Sequence, residues 1–298
     1  MRLAAIDIGS NAARLLISDV ISGPLAKPEF LKIILVRVPL RLGFDVFERG
    51  EISPQKSDNV IKTIQSYKLL LEVYGVKHLK ACATSAMRDA SNGKEIIQKV
   101  KAETGIDINI ISGQEEASFI YENHFAEGLT MDESYLYIDV GGGSTELTFF
   151  SDGKLVFKES FNIGTIRLLK NQVSEAAWDE MKEFIKTKTK GFHHVSAIGT
   201  GGNINKIFSI SKRKEGRPLP LDLLRDYYKE FSNLSLSQRM SLYKFREDRA
   251  DVIVPALLIY INVMRWADAD EIFVPKIGLA DGLIQTLYAE LLRKAIEV

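Results

Sequence analysis

The residues best suited to chemistry are two aspartates, each directly before a turn that contains glycine. Asp7 opens the stretch DIGSNAAR, and Asp139 opens the stretch DVGGGSTE. Each follows a short apolar run, which indicates the end of a buried strand. A carboxylate there needs a cation or several hydrogen-bond donors to offset its desolvation. Asp7 and Asp139 therefore indicate a bound metal or water, and beside phosphate the natural metal is Mg²⁺, or another divalent cation, held partly by substrate oxygens.

Glycine-rich turns after strands indicate where phosphate would bind, because backbone amides can approach an anion closely there. A hairpin turn alone would need only one glycine, yet DVGGGSTE has three in a row. The stretch AIGTGGNINK repeats the pattern before a helix N-terminus, which favours anions; it has neither Walker nor dinucleotide-fingerprint spacing. The phosphate candidates of these two stretches are Gly141, Gly142, Gly143 and Ser144, then Gly199, Thr200, Gly201, Gly202 and Asn203.

A further turn, ATSAMRDA, adds side-chain donors. Thr84 and Ser85 can donate hydroxyl hydrogen bonds, and Arg88 can hold two phosphate oxygens at once. Taken alone, the same residues also fit a plain helix cap.

Two adjacent glutamates in ISGQEEA have different predicted roles. Ser112 and Glu115 form a capping box, in which each side chain binds an amide of the first helical turn. Glu116 has no such structural role, and the nearby helix N-terminus keeps it ionised. Beside phosphate it could deprotonate an attacking water, although the residues alone leave that role open.

The stretches DIGSNAAR and DVGGGSTE align without gaps at a constant offset of 132 residues, so Arg14 occupies the place of Glu146. This pairing suggests one cation and one anion facing each other across a cleft. Each stretch predicts a β-hairpin, and strands with helices between them predict a parallel α/β sheet in each half. We therefore expect two similar domains, residues 1–128 and 129–298, with a seam near residues 127–134 and a last helix that either stays with the second domain or packs back on the first.

Predicted elements fill both halves. In the first, a helix runs from Pro54 to Gly75, HLKACAT is a strand, a helix ends at Gly105, and INIIS is a strand. In the second, Ser174 opens a helix, VSAIG is a strand, and the chain from Leu221 is mostly helical. The charged stretch SKRKEGRPLP lies between the VSAIG strand and Leu221. It is interpreted as a solvated surface loop, although its basic run could also contact a polyanion.

Composition narrows the class of protein. Lysine plus arginine and aspartate plus glutamate are equal at 39 each, so nothing in the overall charge favours nucleic acid or a membrane as a partner. The single cysteine, Cys82, fits a buried strand and a reducing compartment. The N-terminal residues do not read as a signal peptide, and the longest apolar run, residues 252–261, is too short to span a bilayer. We expect a cytoplasmic protein, with a homodimer allowed for.

Four stretches, DIGSNAAR, ATSAMRDASNG, ISGQEEA and DVGGGSTEL, stand in an order and spacing that resembles the Ppx/GppA phosphatase family. The likeness extends through RLGFDVF, GTGGN and RADVIVPALLIY and so covers nearly the whole chain. It implies the actin-like, sugar-kinase-type α/β fold of two related domains around a central cleft. It also implies Mg²⁺-dependent hydrolysis of a terminal phosphoanhydride, in inorganic polyphosphate or in guanosine pentaphosphate.

The resemblance also assigns residues. It implies that Glu116 is the catalytic base and that Asp139 and Glu146 are metal or water ligands. It places Asn11, Arg14, Arg88 and the glycine turns at phosphate. Three features depart from the family pattern, namely Ala12 in place of a common serine, GGNINK in place of a threonine-rich continuation, and GLADG in place of a stretch that is often basic. They leave open a non-catalytic binder of polyphosphate or an alarmone, and the fold leaves open an ATP-dependent phosphotransferase.

Overall fold

The computed structural model describes residues 1–21, 28–124, 133–192, 194–275 and 278–296. The chain divides into two compact units, Met1–Glu127 with Gly278–Val298, and Gly128–Ile277. The C-terminal segment thus groups with the first unit rather than the second. The seam expected near residues 127–134 lies almost wholly outside the described residues.

The first unit is built on a five-stranded sheet with the strand order β3-β2-β1-β4-β5. β1 pairs antiparallel with β2 and parallel with β4, so the sheet is mixed. Its strands are β1 (Arg2–Ile8), β2 (Ala13–Ile21), β3 (Glu29–Val38), β4 (His78–Ala83) and β5 (Asn109–Ile110). Its helices are α1 (Leu42–Arg49), α2 (Pro54–Val73), α3 (Ser85–Asp89), α4 (Gly93–Thr104), α5 (Gly113–His124) and, from the end of the chain, α13 (Leu279–Ile296).

The second unit repeats this plan with one more strand, in the order β10-β11-β9-β6-β7-β8. Its strands are β6 (Ser134–Val140), β7 (Thr145–Ser151), β8 (Lys154–Phe161), β9 (Val195–Thr200), β10 (Leu219–Pro220) and β11 (Glu271–Phe273). Its helices are α6 (Thr165–Leu169), α7 (Glu175–Thr189), α8 (Gly202–Ser211), α9 (Leu221–Ser232), α10 (Leu236–Tyr243), α11 (Glu247–Ala250) and α12 (Ile253–Trp266). The α/β organisation and both predicted hairpins are confirmed.

The hairpin register repeats with the 132-residue offset. Leu3 pairs with Ser18 and Ile8 with Ala13 in the first unit; the equivalent residues Tyr135 and Phe150, and Val140 and Thr145, pair in the second. The turns match as well, because the amide of Gly9 donates to Ala12 (3.0 Å) and that of Gly141 donates to Ser144 (2.9 Å). The offset seen in the sequence therefore marks one hairpin built twice.

Local signals fix most helix ends where the sequence indicates them. Pro54 opens α2 directly after Ser53, and Gly105 closes α4 with a φ of 73°, in the left-handed region that glycine adopts readily. Ser174 caps α7 through a hydrogen bond from the amide of Ala177. The predicted strand INIIS is shorter than expected, since only Asn109 and Ile110 pair with β4.

Each unit has its own apolar core. In the first, Leu283 and Ile284 of α13 are buried with Leu3 and Ala5 of β1, which explains why the C-terminal helix belongs to this unit. In the second, α12 lies in the centre of the core, as its apolar sequence indicates. Among the described residues, no helix combines the length and apolarity needed to cross a membrane.

Candidate functional site

In the first unit, Asp7 is neutralised within its own hairpin. Asp7 and Arg14 are cross-strand partners, and Arg14 Nη1 lies 2.7 Å from Asp7 Oδ2. Arg14 thus has one ionic partner inside its own hairpin, and the sequence-based idea that it faces an anion across a cleft stays a prediction. Because Asp7 is buried and already has a cation, it is less suited to hold a metal than Asp139.

In the second unit, the equivalent position holds two carboxylates. Asp139 and Glu146 are cross-strand partners, and their ligand oxygens lie within 4.8 Å of each other. Glu146 is buried, and one of its oxygens accepts a hydrogen bond from Ser160 Oγ at 2.9 Å. Like charges directly opposite on paired strands repel, and a cation bound between them would offset that repulsion. An all-oxygen set of this kind suits Mg²⁺.

The glycine turn after Asp139 uses its carbonyl groups inside the unit. The carbonyl of Gly141 accepts from the amide of Thr165 (3.1 Å), and that of Gly142 accepts from Ile166 (2.8 Å). The carbonyl of Gly143 accepts from Arg167 Nε (2.7 Å). Within the part of the chain that the structure describes, the amides of Gly142 and Gly143 donate no hydrogen bond. These amides are therefore available as donors, and their binding of phosphate stays a prediction.

The backbone of this turn packs directly against Gly164, so there is no room for a side chain at position 164. A Cβ at position 164 would lie 2.4 Å from the carbonyl oxygen of Gly142 and 2.5 Å from the carbonyl carbon of Gly143. Both are backbone atoms, so the turn itself would have to move. Gly164 thus supports the phosphate candidates without belonging to them.

Gly164→Ala is expected to lower the free energy of unfolding by about 3 kcal/mol and to lower kcat, because the displaced turn misplaces its amide donors. Thermal unfolding and phosphate release measure the two effects. Gly278→Ala is the control, since no atom lies within 4 Å of its added Cβ. Equal melting temperatures for the two variants would contradict this role of Gly164.

The third turn places an unsatisfied hydroxyl beside Asp139. Thr200 is the parallel-strand partner of Asp139 and is fully buried, so both side chains lie on the same face of the sheet. Among the described residues, Thr200 Oγ1 has no hydrogen-bond partner. Leaving such a group unsatisfied costs about 1–3 kcal/mol, which a bound ligand or water would recover.

Position 201 requires glycine, because both its backbone angle and the nearby Asp139 side chain exclude a Cβ. Its φ is 94°, and a Cβ there would lie 2.8 Å from Asp139 Oδ1. Tyr260 holds this turn from below, because its hydroxyl donates to the carbonyl of Thr200 at 2.6 Å. Burial, and then the charge of Asp139, raise the pKa of Tyr260 well above its ordinary value, so the phenol stays protonated as a donor.

The remaining candidates of this turn have internal contacts. A Cβ at Gly202 would lie 2.6 Å from Arg249 Nη2, and Arg249 also donates to the side-chain oxygen of Asn203. Gly199 lies inside β9, where a Cβ would meet the side chain of Ile272 at 2.7 Å. Gly199 thus has a packing role, whereas Gly201 and Gly202 form the turn.

Two turns of the first unit meet at a pair of hydroxyls. Ser10 Oγ and Ser85 Oγ are 2.8 Å apart and buried, which joins the β1–β2 turn to the start of α3. Thr84 is buried at the cap of α3 without a side-chain capping bond. The carbonyl of Asn11 accepts from the amide of Arg41 (2.9 Å). Asn11, Thr84 and Ser85 are therefore brought to one edge of the sheet.

Arg88 has a contact that its sequence-based role did not include. Its Nη1 donates to the carbonyl of Ile111 at 2.9 Å, directly before the loop that begins α5. Arg88 therefore ties α3 to the segment that positions Glu116, and its phosphate role stays a prediction.

The two glutamates of α5 differ as the sequence indicates. Glu115 is exposed, and its Oε2 accepts from the amide and hydroxyl of Ser112 at 2.7 and 2.8 Å, which forms the predicted capping box. These hydrogen bonds lower the pKa of Glu115. Glu116 is buried. It lies close enough to Cys82, the parallel-strand partner of Asp7, to act on the thiol electrostatically, so it stands near the edge of the sheet that carries Asp7.

The pKa of the Cys82 thiol reflects the burial and the negative charge at this edge of the sheet. Burial, followed by the charges of Asp7 and Glu116, raises the pKa of its thiol well above the ordinary value. We expect iodoacetamide to alkylate Cys82 in the folded protein at least about 10²-fold more slowly than a free thiol at mildly alkaline pH. Mass spectrometry of the intact protein measures this, with urea-unfolded protein as the control. Equal rates in both states would contradict the buried placement.

Sequence reasoning missed four residues that shape the site: Ser160, Gly164, Arg167 and Tyr260. Tyr260 and Arg249 are the two ends of the quoted stretch RADVIVPALLIY, but neither was given a role. All of these lie more than ten residues from the residue they contact, so their pairing is invisible in a motif. The glycine after the β8 strand in NIGTIR was the one available signal.

The comparisons with known proteins identify the class. The model of the Ppx/GppA phosphatase family matches residues 29–291. The chain therefore belongs to the Ppx/GppA phosphatase family, as the sequence resemblance predicted. The prediction that the chain is a hydrolase of this family is confirmed as well.

Relatives and solved structures cover nearly all of the chain. It is 27% identical over 300 residues to a bifunctional 3-dehydroquinate synthase/phosphatase of Fusobacterium nucleatum, covering 91% of this chain but only 44% of that relative. It is 25% identical to exopolyphosphatase 1 of Mycobacterium bovis, covering 95% and 87%. An exopolyphosphatase structure from Cytophaga hutchinsonii matches with a TM-score of 0.81 at 24% identity, covering 97% and 98%. A Ppx/GppA structure from Aquifex aeolicus matches with a TM-score of 0.74 at 24% identity, covering 99% and 98%. The predicted α/β fold class is confirmed, since this chain shares the fold of these Ppx/GppA and exopolyphosphatase structures.

Proposed function

We propose that this protein hydrolyses the terminal phosphoanhydride bond of inorganic polyphosphate and releases orthophosphate, with Mg²⁺ as its cofactor. The observation that carries the proposal is the opposed pair Asp139 and Glu146, directly before a glycine turn whose carbonyls are bound and whose amides are available. A pair of carboxylates that can hold a cation, next to donors for an anion, suits a metal-bound polyphosphate.

The residues are assigned roles by their contacts. Asp139 and Glu146 would hold the cation, which when bound supplies charge neutralisation to the phosphate oxygens. The amides of Gly142 and Gly143 donate to the leaving phosphate. Thr200 Oγ1, buried without a partner in the described structure, supplies a further donor on the face of Asp139. Glu116 is the general base that accepts a proton from the attacking water.

The substrate choice is supported by the relatives. Several of them, at about a quarter identity over nearly the whole chain, are named exopolyphosphatases. Guanosine pentaphosphate is the second candidate substrate, because it presents the same kind of terminal anhydride to the same donors. A site that only binds either ligand would not need Glu116.

A phosphate-release assay tests the proposal with three substrates: tripolyphosphate, long-chain polyphosphate and guanosine pentaphosphate, with MgCl₂ varied. Metal-dependent release from polyphosphate supports it. Tight calorimetric binding without release at every Mg²⁺ concentration would instead indicate a non-catalytic binder. Transfer of label from ATP to an acceptor other than water would indicate a phosphotransferase.

A further inference from the structure

The glycine turn of the second unit leads through a single helix to a strongly basic segment. α8 begins at Gly202 and ends at Ser211, and the six residues that follow are all exposed. Four of them are cationic and one is acidic, in a chain whose formal net charge is zero. The cationic residues are Lys212, Arg213, Lys214 and Arg217.

This excess of positive charge is not balanced locally. Among the described residues, none of the four cationic side chains forms an ion pair with a carboxylate. Elsewhere in this unit an exposed cation does form such a pair, for example Arg225 with Asp222 at 2.7 Å. Adjacent unneutralised cations raise the electrostatic energy of a surface unless an anion is bound there.

A further cationic residue, Lys206, lies on α8 between the glycine turn and the basic segment. Lys206 lies on α8 three residues after Asn203, so the two side chains share one face of the helix. Lys206 Nζ lies 5.4 Å from the ring centroid of Phe245, which positions the ammonium against that ring. At 1.5 Å per residue, the ten residues of α8 span about 15 Å. Cationic side chains thus stand at the middle and at the far end of this path.

The segment is also shaped by internal hydrogen bonds. Arg213 Nη1 donates to the carbonyl of Pro218 at 2.9 Å, and the amide of Arg213 donates to Ser211 Oγ at 3.3 Å. The amide of Arg217 donates to the carbonyl of Lys214 at 3.1 Å. These bonds fold the segment into a compact turn, which holds its cations close together.

We propose that Lys206 and the segment Lys212–Arg217, together called the α8 basic surface, bind the distal part of a polyphosphate chain whose terminal phosphate lies at the glycine turns. The inference rests on the proposed function and adds a preference for long chains. A linear polyanion with a charge on every unit can contact the turn and the basic surface at once, whereas tripolyphosphate is too short to follow the full helix. The second contact makes binding of the long chain effectively intramolecular, which raises its affinity without changing the chemistry.

The test compares chain lengths in the variant Lys212→Gln/Arg213→Gln/Lys214→Gln. We expect KM for long-chain polyphosphate to rise about tenfold, while KM for tripolyphosphate and kcat for both substrates stay at wild-type values. The slope of log KM against log salt concentration for the long chain should fall by about two to three, one for each lost phosphate contact. The matched control is Lys186→Gln/Lys188→Gln/Lys190→Gln, which removes the same charge from exposed positions at the end of α7.

The outcomes separate the two proposals. If wild-type protein releases no phosphate from either chain length, the proposed function fails. If it hydrolyses both but the α8 variant keeps wild-type long-chain kinetics, or the α7 control loses as much, the inference is overturned. It is also overturned if the α8 variant loses single-stranded RNA binding in a filter assay while its long-chain kinetics are unchanged, since the surface would then serve nucleic acid.

Discussion

Replacing Glu116 by glutamine is expected to lower kcat for phosphate release by about 10² to 10⁴, with little change in KM. Glutamine keeps the size of the side chain and its place on α5, but it cannot accept a proton from water. Because the loss is confined to proton transfer, the binding of phosphate through the glycine turns is preserved. Steady-state assays with polyphosphate under saturating MgCl₂ measure both constants.

Glu115→Gln is the matched control, because Glu115 is the adjacent residue on the same helix. Glu115 accepts hydrogen bonds from Ser112 in the capping box. Glutamine keeps an acceptor oxygen for that box, so the replacement should leave both the melting temperature and kcat near the wild-type values. Glu116→Gln must in turn keep the wild-type melting temperature. Wild-type turnover by Glu116→Gln would remove Glu116 from the mechanism.

Replacing Glu146 by glutamine is expected to have opposite effects on stability and on metal binding. Without metal, the variant should be more stable than the wild type by about 1 kcal/mol, because the repulsion between Asp139 and Glu146 is removed. Its affinity for Mg²⁺ should fall at least about tenfold, since a charged ligand is lost. Thermal unfolding with EDTA and with increasing MgCl₂ measures both effects independently of activity.

Glu159→Gln serves as the control for this pair. Glu159 lies on the neighbouring strand β8, opposite Leu147 rather than a second carboxylate. Its replacement should change neither the metal-free stability nor the response to MgCl₂. An unchanged Mg²⁺ response in Glu146→Gln would show that the opposed carboxylates are not the cation site.

The duplicated hairpin could be predicted because its information is local. Asp7 and Asp139 each end a strand, and the turn chemistry follows within a few residues. The offset of 132 residues therefore appears unchanged in the register of the two hairpins. The capping box of Ser112 and Glu115 was predictable for the same reason, since its partners are three residues apart.

The pairing of Arg14 with Asp7 was not predicted, because cross-strand contacts depend on register. Residues 7 and 14 face each other only once β1 and β2 pair, and the pairing then brings Arg14 onto Asp7. The supports of the second unit, such as Tyr260 beneath Thr200, come from helices distant in the chain. Such contacts are set by packing of the finished core and leave no periodic pattern in the sequence.

The grouping of α13 with β1 affects the order in which the molecule can be assembled during synthesis. The second unit is one continuous segment, whereas the first needs residues from both sides of it. Leu283 and Ile284 fill the core around Leu3 and Ala5, so nascent β1 must wait for nearly the whole chain to leave the ribosome. The N-terminal sheet, although made first, is the later of the two units to be completed.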